Sequence, residues 1–145
     1  MPDGPTPLSP TPLSPKPLSS KPLSIAGLRP PGGHYSAAMQ TDGLVFLSGQ
    51  LPLPPSGPPD DIGFDEQVRR VMGSLLAILS AAGGGPEDLV KVTVYLAAIE
   101  YWDRFNQIYA EILGDAKPAR SIVPVPALHF GYLVEVDAIA VRRAQ

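Results

Sequence analysis

The chain has no cysteine. That removes disulfides, thiolate metal sites and a cysteine nucleophile from the available chemistry, and it leaves the redox compartment open. Histidine is nearly as scarce. His34 and His129 are the only two, neither lies at a metal-ligand spacing, and each reads first as a loop residue. Charge is sparse too, with 11 Lys+Arg against 14 Asp+Glu, a net charge of −3 and a pI near 5.2. No basic stripe is available to follow a phosphate backbone, so nucleic acid is an unfavoured partner. No apolar run approaches the ~18 residues of a membrane span. Phosphate loops and serine elbows are also missing. Gly83-Gly84-Gly85-Pro86 follows a helical pattern without the Lys-Ser or Lys-Thr of a nucleotide loop, and no Gly-x-Ser-x-Gly occurs.

Proline, by contrast, is abundant, and its distribution divides the chain. Thr6-Pro7-Leu8-Ser9-Pro10, Thr11-Pro12-Leu13-Ser14-Pro15, Lys16-Pro17-Leu18-Ser19-Ser20 and Lys21-Pro22-Leu23-Ser24 repeat one short unit. Its prolines fix φ and remove amide donors, so residues 1–24 are expected to be a disordered, polyproline-like tail. The tail lacks the apolar core of a secretory signal and the arginine-rich amphipathic pattern of a transit peptide, and a cytoplasmic location is expected. A proline-recognising partner or Ser-Pro phosphorylation would give it a use; composition alone favours a tolerated extension. Residues 25–145 are expected to fold as one domain.

Within that domain, Tyr35 to Thr41 and Leu44 to Gln50 read as strands joined by Asp42-Gly43, a dipeptide suited to the positive φ angles of a tight hairpin. Leu51 to Pro59 is a proline-rich loop. Phe64, Val68, Val71, Met72, Leu75, Leu79 and Ala82 then recur every three or four residues, which predicts a helix stopped at Gly83. Val90, Val92, Val94 and Leu96 alternate with polar residues, predicting a strand with one buried face. A second helix carries Tyr101, Phe105, Ile108, Tyr109 and Ile112 and ends near Gly114. Strands near 120–125 and 133–141 close the chain.

The fold class is therefore α+β, a mixed sheet with both helices on one face. Val134, Val136, Ala138 and Ala140 suit the covered side. Leu133, Glu135, Asp137, Ile139 and Val141 face the other way, and a half-apolar bare face predicts a homo-oligomer, with a ring of subunits burying the aliphatics and enclosing the acids.

Charge set into apolar strands is costly unless something uses it. Arg120 offers two parallel donors that suit a carboxylate, so it suggests an anionic substrate. The plain alternative, favoured by spacing alone, is a structural ion pair with Glu135 or Asp137. Glu135 is placed to orient or deprotonate a water, or else is a paired or solvated acid. Gly49, in Ser48-Gly49-Gln50, allows close approach of a ligand or another backbone.

Taken together, Tyr35, Phe46-Leu47-Ser48-Gly49-Gln50-Leu51-Pro52, Asn106 within Phe105-Asn106-Gln107-Ile108-Tyr109, Pro118-Ala119-Arg120-Ser121 and Val134-Glu135-Val136-Asp137-Ala138-Ile139-Ala140 resemble the RidA family, also called YjgF, across roughly residues 25 to 143. The resemblance implies a chorismate-mutase-like α+β fold and a homotrimer with clefts between subunits. It also implies hydrolysis of reactive 2-imino or 2-enamino acids to 2-keto acids and ammonia, as in 2-iminobutanoate/2-iminopropanoate deaminases. Such imines are released by pyridoxal-phosphate enzymes, threonine dehydratase among them. By the same resemblance Arg120 binds the substrate and Glu135 holds the water. Tyr35, Ser48, Gly49 and Asn106 line the pocket, and the backbone amide of Ile122 helps hold the carboxylate. No metal or cofactor is implied.

Three departures stand out. Ile122 replaces the cysteine of many active relatives, Leu128-His129-Phe130-Gly131-Tyr132 replaces their Leu-Pro turn, and Ala98 replaces the aspartate that opens their second helix. The alternatives to a deaminase are a non-catalytic trimer that binds a small carboxylate and, less favoured, a ribonuclease or RNA-binding protein.

Overall fold

The structure, a computed structural model, describes Gly4 and residues 19–142. Most of the expected tail, residues 1–3 and 5–18, lies outside the described residues, as does the end of the expected domain at 143–145. Six strands form one mixed sheet: β1 (Lys21–Leu23), β2 (Ala38–Thr41), β3 (Leu44–Gln50), β4 (Leu89–Leu96), β5 (Ala119–Pro124) and β6 (Val134–Val141). Their spatial order is β1-β2-β3-β6-β4-β5. Only β4 and β5 run parallel, joined by the crossover helix α2 (Trp102–Leu113); helix α1 (Phe64–Ala81) links β3 to β4.

Both helices bury their apolar stripes against the same face of the sheet, as their periodicity predicts. Val68, Val71, Met72, Leu75 and Leu79 of α1 and Phe105 and Ile108 of α2 are fully enclosed with Val92, Val94, Val134 and Val136. Gly83 takes φ 83° after α1, and Gly114 takes φ 58° after α2, the positive values that end helices at glycine. Along β6 the expected alternation holds: Val134, Val136, Ala138 and Ala140 are buried, while Glu135, Asp137 and Val141 are not.

Four local expectations are corrected. Val90 is 46% exposed, because the β4–β6 register slips between Leu89 and Lys91 and the extra residue turns Leu89, not Val90, into the core. Lys21-Pro22-Leu23, assigned to the tail, pairs with β2 as an edge strand, a place where a proline removes no needed ladder bond. The strand expected from Tyr35 begins only at Ala38. Tyr35 is 56% exposed, and its N–H turns back to the Gly33 carbonyl at 3.0 Å. In the Asp42-Gly43 hairpin only Gly43 takes positive φ, 82°.

Candidate active site

Arg120 sits on β5 in register with Val92, which points wholly into the helix-covered core. Registered neighbours share a face, so the Arg120 side chain rises on the helix side, and there α2 receives it. Its Nη1 donates to Asn106 Oδ1 at 2.9 Å. Its guanidinium lies 4.9 Å from the Tyr109 ring centroid and 5.6 Å from that of Trp102. Trp102, Asn106 and Tyr109 are spaced by four and three, so one helix face supplies the whole cradle. Aromatic faces attract the cation but do not neutralise it, and Asn106 is uncharged. Among the described residues no carboxylate pairs with Arg120.

Glu135 occupies the opposite surface. It is in register with Tyr95 on β4, and Asp137 with Thr93, on the face that the helices leave bare. The ion pair that spacing alone favours, from Arg120 to Glu135 or Asp137, is therefore not formed: the sheet stands between the guanidinium and both acids. Asp137 accepts instead from the Tyr95 hydroxyl at 3.1 Å.

Gly49 explains how Glu135 is held. A Cβ built on Gly49 would run into the Glu135 Oε1, so the carboxylate lies on bare backbone and no other residue type leaves it that place. Burial pushes the Glu135 carboxyl above its usual range, the negative charge of Asp137 adds to that, and His129 partly opposes it. An acid so shifted takes up a proton more readily than an exposed one, which suits a group that accepts and returns protons.

The remaining predicted residues divide between these halves. Ser48 donates its hydroxyl to the Ser36 carbonyl at 2.6 Å, and its N–H bonds the Ala37 carbonyl at 3.0 Å, pinning the segment that carries Tyr35 to β3. Tyr35 and Gly49 line one cavity of about 470 Å³ with His129 and Phe130; Arg120 does not reach it. Ile122 packs its side chain against the core rim. Its amide points elsewhere. Val125 N–H donates to Leu96 O on β4, and amide directions alternate along a strand, so Arg120, Ile122 and Pro124 direct their backbone to the free edge of the sheet. The Ile122 N–H is thus a donor on the Arg120 side of the molecule. Asn106, Arg120 and Ile122 thus lie in one group, and Tyr35, Ser48, Gly49 and Glu135 in another.

Sequence reading missed the aromatic walls. Trp102 and Tyr109 were legible as the i−4 and i+3 neighbours of Asn106, yet only the fold puts β5 beneath them. It also missed Tyr132, buried with its hydroxyl donating to Asp60 Oδ1 at 3.0 Å, while Arg70 donates to both Asp60 oxygens at 2.8 and 2.9 Å. This cluster ties the 128–132 turn to the loop before α1.

The chain thus combines an α+β fold with an arginine cradle that holds no acid on one side of its sheet and a half-buried carboxylate on the other. Comparison with known proteins gives the family. The chain belongs to the family described as Endoribonuclease L-PSP, the YjgF/RidA/RutC family, whose sequence model matches residues 27–142. It is 40% identical over 111 residues to a RutC family protein of Pyrococcus horikoshii, covering 76% of this chain and 88% of that one. The yeast YEO7 crystal structure superposes with a TM-score of 0.82 at 33% identity, covering 86% of this chain and 100% of that one. The crystal structure of Escherichia coli TdcF with bound serine gives 0.79 at 28% identity, covering 85% and 99%. The expected fold is thereby established.

Proposed function

We propose that the chain is a deaminase that hydrolyses 2-imino and 2-enamino acids to 2-keto acids and ammonia, at sites formed where subunits of a homotrimer meet. The observation that carries this reading is the division of the polar residues. Arg120 with the Ile122 amide, and Glu135 on Gly49, point from opposite faces of one sheet, so one substrate meets both only when two copies of the chain face each other across it. The bare face offers the surface for that: Phe46 is 43% exposed and Val141 41%, beside Ile139.

In this arrangement Arg120 holds the substrate carboxylate with two parallel donors, Asn106 fixes the guanidinium, and the Ile122 N–H adds a third donor. The protonated C=N carbon is already electrophilic. Glu135 takes a proton from an attacking water as oxygen bonds to C2, giving a carbinolamine. It returns the proton to the amino nitrogen as the C–N bond breaks, and loss of the hydroxyl proton to the departing ammonia leaves keto acid and ammonium. No thiol is needed, in keeping with Ile122.

The bound serine of TdcF supports a small amino-acid-like carboxylate as ligand. It is equally compatible with a trimer that binds such a ligand without turnover, which would show ligand-dependent thermal stabilisation and no keto-acid release. The family's description names an endoribonuclease. Against that stand the net charge of −3 and two acids, Glu135 and Asp137, beside the reactive half-site. The deciding experiment generates an imine in situ with an amino-acid oxidase and follows keto-acid release. Acceleration by wild type but not by Arg120→Ala supports the deaminase; equal rates for both proteins reject it.

A further inference from the structure

The cavity lined by Gly49, on which the Glu135 carboxylate lies, is larger than a three- or four-carbon imino acid fills. At about 470 Å³ it runs from Gly49 past Tyr35 toward α1, where Ser74 and Ile78 form its floor. Prolines and leucines are among the commonest of its other wall residues, and half-exposed Phe130 stands at its mouth. Its two arginines are held in different ways. Arg29 donates to the carbonyls of Pro54 and Gly57 at 3.1 and 2.7 Å, and Arg70 to Asp60 and the Pro52 carbonyl. Arg70 is thus paired with an acid and Arg29 is fixed against the backbone, while the prolines and leucines together with Ile78 and Phe130 give the space the apolar surface that suits a large apolar occupant.

Two features connect this space to the reacting atoms. Gly49, the residue on which the Glu135 carboxylate lies, is part of its wall. His129, another wall residue, is close enough for its charge to act on Glu135. The turn bearing His129 and Phe130 is also strained. Phe130 has φ 61° and ψ 16°, a left-handed conformation uncommon for a bulky residue, followed by Gly131 at φ 72°. The Phe130 ring stacks on His129 with centroids 3.6 Å apart and meets Tyr132 edge-on at 6.5 Å. Buried Tyr132, bonded to Asp60, supplies the anchor that keeps the strained turn, and with it the aromatic ring, at the cavity mouth.

We propose that this cavity is the side-chain subsite of the enzyme and selects 2-imino acids bearing a large apolar, above all aromatic, side chain over those bearing a methyl or ethyl group. The proposal rests on the deaminase reading for its reaction, though not for its binding site. The acid end of the substrate stays with Arg120 of the facing copy, C2 sits at Glu135, and the side chain passes Gly49 into the cavity. Removing the apolar area of a phenyl ring from water favours the larger substrate by about tenfold or more.

Two measurements on the full chain test it together. Imines made in situ from phenylalanine and from alanine are compared for keto-acid release, and binding of phenylpyruvate and pyruvate is compared by calorimetry. Each is done with wild type, with Ser74→Phe, which fills the cavity floor, and with Phe130→Ala, an exposed position that does not threaten folding. The expected result is a preference of at least about tenfold for the aromatic member of each pair. That ratio should collapse toward one in folded Ser74→Phe and weaken in Phe130→Ala. A wild-type ratio near one, or a preference untouched by both substitutions, overturns the subsite. Aromatic preference in binding without turnover of either imine supports the subsite and rejects the deaminase.

Discussion

Arg120 and Glu135 point to opposite faces of the same sheet. Arg120 follows Val92 toward α2, and Glu135 follows Tyr95 onto the bare face. A buried salt bridge between them would have been a structural device. Their separation leaves Arg120 without an acid and Glu135 without an arginine, each open to what a second copy presents.

The proposed function gives Arg120 a part in binding rather than in stability. Because it makes no ion pair within the chain, Arg120→Ala is expected to leave Tm within a few degrees of wild type while kcat/KM for imine hydrolysis falls at least about 100-fold. Arg120→Lys keeps the charge but not the paired donors or the fit between Trp102 and Tyr109, and should recover little. Steady-state kinetics beside a thermal melt check both.

Under the proposed function Glu135 links activity to pH and stability with opposite signs. Its carboxyl is raised above the ordinary 4.5, so the folded chain holds this proton more tightly than the unfolded chain does. Stability from this group is therefore full at low pH and is lost as pH rises through the raised value. Glu135→Gln should melt higher than wild type at pH 7, with the gap closing below about pH 4. Turnover needs the ionised form, so wild-type kcat/KM should climb across the window in which that stability is lost, and Glu135→Gln should lose both the rate and the limb.

Gly49→Ala separates the fold from the site. The new methyl group meets the end of a movable side chain, not backbone, so the carboxylate is displaced at little cost to folding. A kcat reduced by about tenfold or more with a nearly unchanged Tm is the expected pair of readings. A large fall in Tm with normal kcat would mean that Gly49 serves the backbone alone.

Tyr132→Phe removes the hydroxyl that reaches Asp60 from the 128–132 turn. Loss of one such bond costs about 1 kcal/mol, or about 4 °C in Tm for a domain of this size. Hydrogen exchange should quicken at residues 128–132 and not in α2, which contributes no residue to the cluster.

How much of this was readable beforehand follows from which contacts are local. The stripes of α1 and α2 and the two sides of β6 were legible because periods of 3.6 and 2 encode burial directly. Val90 was misplaced because a bulge breaks that period without leaving a mark in an apolar run. Pro22 concealed β1, since proline argues against a strand everywhere except an edge. The site residues Tyr35, Ser48, Gly49, Asn106, Arg120, Ile122 and Glu135 were named from residue type and family likeness. Their division into two halves was not legible, because it depends on β4 pairing parallel with β5 on one side and antiparallel with β6 on the other. Those registers join residues 28 to 51 positions apart in the chain.

A site shared by two copies of the chain has a direct test, subunit mixing. Arg120→Ala and Glu135→Gln, each inactive alone, are co-refolded in equal amounts and assayed for imine hydrolysis. If Arg120 of one copy serves Glu135 of the next, random assembly leaves about a quarter of the interfaces with both residues intact, and activity should return to about that fraction of wild type. Activity no higher than that of either variant alone would contradict a site built from two protomers.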